Sequence, residues 1–339
     1  MFSTDEGMTT ESAILSSRQV KAEAARLGFC ACGLAEAGPV APERAAYVRR
    51  WLEAGCHGGM AYLERHAPLR LDPRLLHPGA RTVVAVALPY APAAPLRPGG
   101  YTLARYALGH DYHDVVRGRL RRLMAALGLE EGRDGRPFCD TAPLDERYWA
   151  ERCGIGWTGR NRQLFVPGYG CYVFLGELVL CRPADAYDVP MSPRCGDCRR
   201  CLDACPAGAL SASGLDARLC LSYLTIEHRG PLPPGTGRRM GRCIYGCDRC
   251  AEACPWNRAL TGGADPEFRP SDALRAMTPA DWQALTPEAY RALFRGSAVR
   301  RAKFEGLQRN IRAVAAAAQS GASAASPPQP AADGENAPK

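Results

Sequence analysis

The sequence CGDCRRCLDACP, from Cys195 to Pro206, is the stretch around which this chain is organised. A second run, CDRCAEACP from Cys247 to Pro255, repeats the back half of the first. The first run has the C-x2-C-x2-C-x3-C-P spacing of iron–sulfur ligands, in which the cysteine before the proline binds the other of two clusters. The two runs therefore predict two [4Fe–4S] clusters that exchange one ligand each.

Crosswise ligation assigns the cysteines to two sets. The first cluster is expected to bind Cys195, Cys198, Cys201 and Cys254, and the second Cys205, Cys247, Cys250 and one further cysteine. A full copy of the run would need a cysteine at position 244, which is Ile244, so Cys220 and Cys243 are both candidates for the missing ligand. Two structural zinc sites are the alternative, but zinc requires neither a third cysteine in the run nor a closing Cys-Pro pair.

Composition limits the class of protein. The 339 residues, 46% of them hydrophobic, are enough for two domains or one large domain with an insertion. Residues 1–10 are polar and lack the apolar segment of a signal peptide, so we expect a protein of the reducing cytoplasm with no membrane association rather than a disulfide-bonded secreted one. The net charge of +8 permits a polyanionic partner.

Apolar patterns predict the secondary structure. β-Branched runs at residues 82–88 and 172–180 predict buried strands, and helical spacing predicts helices over 12–27 and 42–54 and after His113. In the C-terminal part, Thr278-Pro279 and Thr286-Pro287 are typical of helix starts, and 298–318 is predicted to be one basic helix.

These patterns divide the chain into four parts. Residues 1–190 are predicted to form an α/β or α+β domain, and 191–258 a ferredoxin-like domain with two [4Fe–4S] clusters. Residues 259–318 are predicted to be a helical segment, and 319–339 a disordered tail because Ala, Ser, Pro and Gly leave no core to form.

Asp140 is the first candidate for chemistry outside the cysteines. It follows a short predicted strand and precedes a helix that contains Glu146, so it is either a catalytic acid or base or the N-cap of that helix. His110 and His113 are either metal ligands or hydrogen-bond partners. The glycine-rich turn at 154–161 has neither nucleotide-binding spacing nor a P-loop lysine. The loop predicted over 228–242 carries four arginines and is either a solvated connection or a segment that holds phosphates.

A simple electron carrier does not need about 190 residues ahead of its clusters. We therefore expect an enzyme in which the clusters pass electrons, one at a time, to a second redox centre in the N-terminal domain. Seven motifs indicate which enzyme: RYALGHDYH (105–113), DTAPL (140–144), GWTGRN (156–161), FLGEL (174–178), CLSYLTIE (220–227), YGCDRC (245–250) and CPWN (254–257). Together they resemble the epoxyqueuosine reductase family over about residues 15–315, and more distantly the cobalamin-dependent reductive dehalogenases.

The resemblance implies an oxidoreductase that reduces epoxyqueuosine to queuosine at the wobble position of tRNA, the last step of queuosine biosynthesis. It implies cobalamin bound by the 1–190 domain, reduced to cob(I)alamin by the two clusters, and a low-potential electron donor. We expect a monomer. The alternatives are a reductive dehalogenase and a ferredoxin-type electron carrier.

The resemblance also implies roles for single residues. Asp140 matches the proton donor, whose pKa burial against the corrin would have to raise. Cys220 rather than Cys243 matches the last ligand of the second cluster, and Arg229 matches a tRNA contact. The cobalamin contacts are implied at Arg65, Asp140, Leu164, Leu175, Ser222, Cys247 and Asp248. Two departures are Arg160, where lysine is usual, and Cys139 before the acid.

Overall fold

A computed structural model describes residues 14–90, 96, 99–258, 260 and 265–320. All candidate site residues lie within these ranges. From residue 321 onward, the tail predicted to be disordered lies outside the described residues, and so do residues 1–13.

Four of the strands in the described ranges form one large sheet. The strands are β1 (Ala31–Glu36), β2 (Thr82–Pro89), β3 (Thr102–Leu103), β4 (Gly135–Phe138), β5 (Trp157–Thr158), β6 (Leu164–Phe165), β7 (Val173–Leu180) and β8 (Cys243–Tyr245). The large sheet has the order β1-β2-β7-β4, and every neighbouring pair in it is antiparallel. The two predicted buried strands are confirmed, and the antiparallel pairing makes this an α+β fold rather than one built on parallel strands.

The α-helices of the described ranges surround this sheet and form the C-terminal part. They are α1 (Ser17–Arg26), α2 (Pro42–Glu53), α3 (Ala61–Arg65), α4 (Ala67–Leu71), α5 (Tyr112–Ala126), α6 (Glu146–Arg152), α7 (Arg200–Asp203), α8 (Leu221–Ile226), α9 (Thr236–Met240), α10 (Arg249–Glu252), α11 (Asp272–Ala276), α12 (Pro279–Gln283), α13 (Pro287–Leu293) and α14 (Lys303–Gln319). Within these ranges no helix has the length and apolar character that crossing a membrane requires. The helices predicted at 12–27 and 42–54 are confirmed, and the side chains of Thr278 and Thr286 cap α12 and α13 as expected.

Both faces of the sheet are buried, which explains the continuous apolar sequence of β2. Val84, Val86 and Leu88 pack with side chains of α1 and α5, whereas the residues between them pack with Trp149 and Ala150 of α6. Successive side chains of a strand point to opposite faces, so a strand covered on both sides has no position for a polar residue to reach water.

Two predictions for the C-terminal half are wrong in detail. The loop predicted over 228–242 contains the short helix α9, because Thr236 and Met240 are buried there. The single helix predicted over 298–318 is divided, since Ala298–Ala302 is a 3₁₀ helix and Lys303 has a φ of 60°. Val299 and Ala302 are buried against the C-terminal core, so this turn follows the packing of the core rather than the helical propensity.

The two cysteine runs fold alike. Cys201 lies in α7 and Cys250 in α10, at the same position of each helix, and these helices pack against each other. Strand β8 pairs in parallel with β3, which connects the cysteine segment to the N-terminal part of the chain. The predicted division at residues 190, 258 and 318 stays a prediction.

A buried amide attaches α14 to the cysteine segment. Asn310 is fully buried, and its Nδ2 donates hydrogen bonds to the carbonyl oxygens of Thr225 (2.8 Å) and Ile244 (2.9 Å). Thr225 lies in the last turn of α8, where carbonyl groups lack partners within the helix.

We expect Asn310→Ala to lower the free energy of unfolding by about 2–4 kcal/mol, because two buried carbonyl groups lose their donor. Arg312→Ala, on the exposed side of the same helix, should change it by less than about 0.5 kcal/mol. Urea unfolding of the cluster-loaded protein measures both values. Equal effects of the two substitutions would contradict this role of Asn310.

Candidate active site and cluster-binding cysteines

One cavity collects most of the candidate residues. Its volume is about 330 Å³, and six of the seven residues expected to contact cobalamin line it: Asp140, Leu164, Leu175, Ser222, Cys247 and Asp248. These residues come from the loop after β4, from β6 and β7, from the first turn of α8 and from the segment before α10. The seventh, Arg65, is the exposed last residue of α3 and is not one of the described lining residues.

Hydrogen bonds position the loop that carries Asp140. Asp140 has a φ of 55°, a left-handed conformation that Asp and Asn adopt more readily than other non-glycine residues. Its backbone N–H donates a hydrogen bond to the Glu146 carboxyl group, and the thiol of the preceding Cys139 donates one to the carbonyl oxygen of Leu175 (3.3 Å). The N-cap position of α6 is occupied by Asp145, so the interpretation of Asp140 as a helix cap is wrong.

The Asp140 carboxylate is held by two side chains from the start of α5. The Tyr112 hydroxyl donates to Oδ2, and His113 Nε2 lies 3.3 Å from the same oxygen. The other ring nitrogen of His113, Nδ1, lies 2.5 Å from Oδ1 of Asp111, which also caps α5 by accepting the His113 N–H. Of the two interpretations of His113, the structure therefore supports the hydrogen-bond partner.

These contacts determine the charges of Asp140 and His113. Although desolvation acts to raise it, hydrogen bonds from His113 and Tyr112 hold the pKa of Asp140 below its usual range. Burial acts to lower the pKa of His113, but its bonds to Asp111 and Asp140 raise that pKa to about 9. Near pH 7 Asp140 is therefore ionised and His113 protonated. The expected rise in the Asp140 pKa depends on burial against the corrin, so it stays a prediction; in the protein alone the side chain is 55% exposed and contacts two donors.

Two further carboxyl groups lie near this loop. Glu177 of β7 is fully buried, and Glu146 of α6 lines the cavity. Burial, followed by the nearby Glu146 carboxyl, raises the pKa of Glu177 well above its usual range, and burial followed by the Asp140 charge raises that of Glu146 to about 8. Both are therefore neutral near pH 7. Neither acid was assigned a role from the sequence, although Glu177 stands alone as an acid within an apolar strand.

The cavity suits a large amphipathic redox group. Tyr112 and Phe174 stack in parallel with ring centroids 4.4 Å apart and, with Leu175, form an apolar wall. Gln163 and Ser222 contribute polar groups to the lining of the cavity. Cys247 and Cys250 line the same cavity, so a group bound there is adjacent to two proposed cluster ligands. These residues fit the expected cobalamin.

The cysteine sulfurs of the two runs lie in two groups. Burial and then the neighbouring Cys195, Cys201 and Cys198 sulfurs raise the pKa of the Cys254 thiol to about 11. Cys250 has its pKa raised by burial and then by a different group of sulfurs, Cys247, Cys171, Cys220 and Cys205. Cys254 thus lies with the first run and Cys205 with the second, as crosswise ligation requires. Cys171 is an additional neighbour that the spacing did not indicate.

Cys220 and Cys243 differ in their surroundings. Cys220 precedes α8 and lies near Cys205, Cys247 and Cys250. Cys243 is near Cys247, but its Sγ donates hydrogen bonds to the carbonyl oxygens of Tyr245 and Gly246, both at 3.3 Å. A thiol that donates must keep its proton, whereas a cluster ligand must lose it. The geometry therefore favours Cys220.

The zinc alternative finds no support. In the described ranges, no group of three or more His, Cys, Asp or Glu side chains is arranged to hold a single metal ion. Zinc gathers four ligands around one atom, whereas the cysteines of a [4Fe–4S] cluster bind separate irons and stand further apart.

Arg229 and Arg160 both donate hydrogen bonds to backbone carbonyl oxygens. Arg229 donates to the carbonyl oxygens of Ile226 (2.9 Å) and Arg301 (3.0 Å). Arg160, at the position where lysine was expected, donates to the carbonyl oxygen of Gly196 (2.7 Å) in the first cysteine run. Neither guanidinium is among the described groups that line the cavity.

Comparisons with known proteins agree with one another. A family model for a 4Fe-4S double cluster binding domain matches residues 194–257, and one for epoxyqueuosine reductase QueG, DUF1730, matches 70–141. The chain is 41% identical to an epoxyqueuosine reductase from Leadbetterella byssophila over 299 residues, 88% of this chain and 98% of the relative. It is 37% identical to that of Vibrio cholerae, over 86% of this chain and 81% of the relative.

Solved structures of the same name share the fold. A selenomethionine-labelled epoxyqueuosine reductase aligns with a TM-score of 0.80 at 29% identity, and one with an epoxyqueuosine-modified tRNA-Tyr stem loop with 0.77 at 30%. A third, from Bacillus subtilis with its catalytic aspartate loop swung out of the active site, aligns with 0.76 at 29%. Each alignment covers 88% of this chain and 80% of the other.

We expect Cys220→Ser to lower the iron content from about eight to about four atoms per chain, because one [4Fe–4S] cluster loses a ligand. Cys243→Ser is the matched control and should leave it unchanged. Iron and sulfide analysis of anaerobically purified protein measures the difference. Iron loss from Cys243→Ser instead would contradict the assignment.

The two carboxyl groups whose pKa values are raised by burial, Glu146 and Glu177, predict a pH dependence of stability. Folding raises their pKa values, so the folded protein binds more protons than the unfolded chain between about pH 4.3 and 8, and the free energy of unfolding falls as the pH rises through that interval. Glu177→Gln should flatten this fall, and the exposed Glu53→Gln should not. Melting temperatures at pH 6 and pH 8 test it, and parallel losses in all three proteins would contradict it.

Proposed function

The chain belongs to the epoxyqueuosine reductase family, and from this we propose that it reduces epoxyqueuosine to queuosine in tRNA, the last step of queuosine biosynthesis. The observation that carries the proposal is the cavity in which Asp140 and the cysteines Cys247 and Cys250 meet. It combines an acid for the departing oxygen with ligands of an electron-transfer centre. An electron carrier would not need this cavity, and the relatives compared above are reductases of epoxyqueuosine rather than dehalogenases.

Electrons reach the cavity through the cysteine segment. The first cluster is held by Cys195, Cys198, Cys201 and Cys254, and the second by Cys205, Cys220, Cys247 and Cys250. Leu164, Leu175, Ser222 and Asp248 would hold the cobalamin, with Arg65 approaching from α3. When bound, cobalamin supplies the low-potential two-electron chemistry that opens the epoxide.

The residues of the chain position the substrate and manage its proton. Asp140 delivers a proton to the departing oxygen, which leaves as water. The stacked Tyr112 and Phe174 rings form an apolar wall that limits access of water to the reacting bond. The hydrogen bonds of Cys139 and Glu146 hold the Asp140 loop in place.

The tRNA is expected to bind the arginine-rich segment over residues 228–242. Arg229 is exposed, and its two backbone hydrogen bonds fix the orientation of its guanidinium, so it presents a positioned charge to a phosphate. The protein is expected to act as a monomer in the cytoplasm, supplied by a low-potential donor.

The test is reconstitution. Protein loaded anaerobically with iron, sulfide and cobalamin and given a low-potential reductant should convert epoxyqueuosine in tRNA to queuosine, measured by mass spectrometry of the nucleosides. A fully loaded protein that leaves epoxyqueuosine unchanged would overturn the proposal.

Asp140→Asn should lower kcat at least about 100-fold, the usual contribution of a general acid, with unchanged iron and cobalamin content. Asn adopts the left-handed conformation as readily as Asp, so the substitution removes the acid and keeps the loop. Asp114→Asn, an exposed carboxylate on α5, is the matched control and should keep full activity. Full activity of Asp140→Asn would exclude the acid role.

A further inference from the structure

Asp140 cannot donate a proton that it does not hold. Both the Tyr112 hydroxyl and His113 Nε2 point at its Oδ2, and hydrogen bonds from two donors stabilise the ionised form of a carboxyl group. In this arrangement Asp140 must receive a proton before it delivers one to the substrate, and the side chains that contact it are the positioned sources.

Three titratable side chains contact Asp140 through described hydrogen bonds or ion pairs. The carboxyl group of Glu146 contacts Asp140 at the backbone rather than at the carboxylate, since it accepts a hydrogen bond from the Asp140 N–H. Tyr112 contacts the carboxylate, but burial and then the Asp140 charge raise the pKa of the hydroxyl far above its usual range, so its proton is held tightly. His113 also contacts the carboxylate, at 3.3 Å, and its bonds to Asp111 and Asp140 raise its pKa to about 9, so it carries a transferable proton near pH 7.

We propose that His113 supplies the proton that Asp140 delivers to the departing oxygen. The inference rests on the proposed function. The whole reaction takes up two electrons from the low-potential donor and two protons, and it releases the epoxide oxygen as water. His113 accounts for one of these protons: its Nε2–H bond breaks, an O–H bond forms at Asp140 Oδ2, and the proton passes on to the substrate oxygen. His113 is left neutral and regains a proton from solvent, to which its side chain is 22% exposed.

Asp111 makes this transfer directional. Its Oδ1 lies 2.5 Å from Nδ1 of His113, so Nδ1 keeps its proton and Nε2 is the nitrogen that gains and loses one. The other groups against His113 are the Tyr112 ring, stacked at 4.0 Å, and Arg117, whose Nε donates to the His113 carbonyl oxygen. Asp111, His113 and Asp140 thus form a carboxylate–imidazole–carboxylate row that ends in the cavity. His113 is not among the described lining residues, so it acts through Asp140.

The first arm of the test uses substitutions that keep shape and remove the proton. His113→Gln keeps a donor toward Asp140 but carries no transferable proton, so kcat should fall about 100-fold with unchanged KM for tRNA and unchanged cofactor content. Asp111→Asn keeps the cap of α5 but weakens the hydrogen bond to Nδ1 of His113. We therefore expect kcat to fall about tenfold without a change in melting temperature. His110→Gln, an exposed histidine of the same loop, is the control and should stay active.

The second arm separates proton supply from a structural role. Added imidazoles should restore His113→Ala, and the restored rate per protonated imidazole should rise as the pKa of the imidazole falls. A rate independent of that pKa, or wild-type activity of His113→Gln, would overturn the inference.

The third arm does not depend on turnover. Among the six histidines of the chain, NMR titration should show the His113 signal, identified by its loss in His113→Gln, still protonated at pH 7. A neutral His113 at pH 7 would overturn the inference even in an inactive preparation. A protonated His113 in a fully loaded but inactive protein would instead count against the proposed function.

Discussion

The pairing of β7 with β2 and β4 is the constraint on which the site depends. Phe138, the last residue of β4, lies opposite Glu177 in β7, so the Asp140 loop leaves the sheet beside Leu175, whose carbonyl oxygen holds Cys139. A shift of one residue in this register would exchange the two faces of β7 and remove Leu175 from its place beside Asp140. The full burial of β2, the other neighbour of β7, keeps the register fixed.

The same strand explains the distribution of charge. Asp140, Glu146 and Glu177 lie close enough for each to affect the pKa of another, and three like charges in one partly desolvated site repel strongly. The donors on α5 favour ionisation of Asp140, whereas burial raises the pKa values of the two glutamates and keeps them neutral near pH 7. Of these three acids, Asp140 is therefore negative and the two glutamates are uncharged near pH 7.

Local patterns predicted the parts of the chain whose structure is local. The spacing of the cysteine runs predicted seven of the eight proposed cluster ligands, and apolar runs predicted β2, β7 and the first helices, because these patterns are carried by neighbours in sequence. The choice between Cys220 and Cys243 depends on which thiol hydrogen-bonds to Tyr245 and Gly246, which spacing cannot report. The charge of Asp140 depends on Tyr112 and His113, which precede it by 28 and 27 residues, and the break at Lys303 depends on tertiary packing.

The two cysteine runs differ in their surroundings. Cys247 and Cys250 line the cavity, whereas Cys198 of the first run is exposed to solvent. In the proposed crosswise assignment, Cys250 belongs to the second cluster and Cys198 to the first. That assignment puts a ligand of the first cluster at the surface and ligands of the second cluster at the cavity wall. The two copies of one run thus meet different surroundings, solvent for one and the cavity for the other.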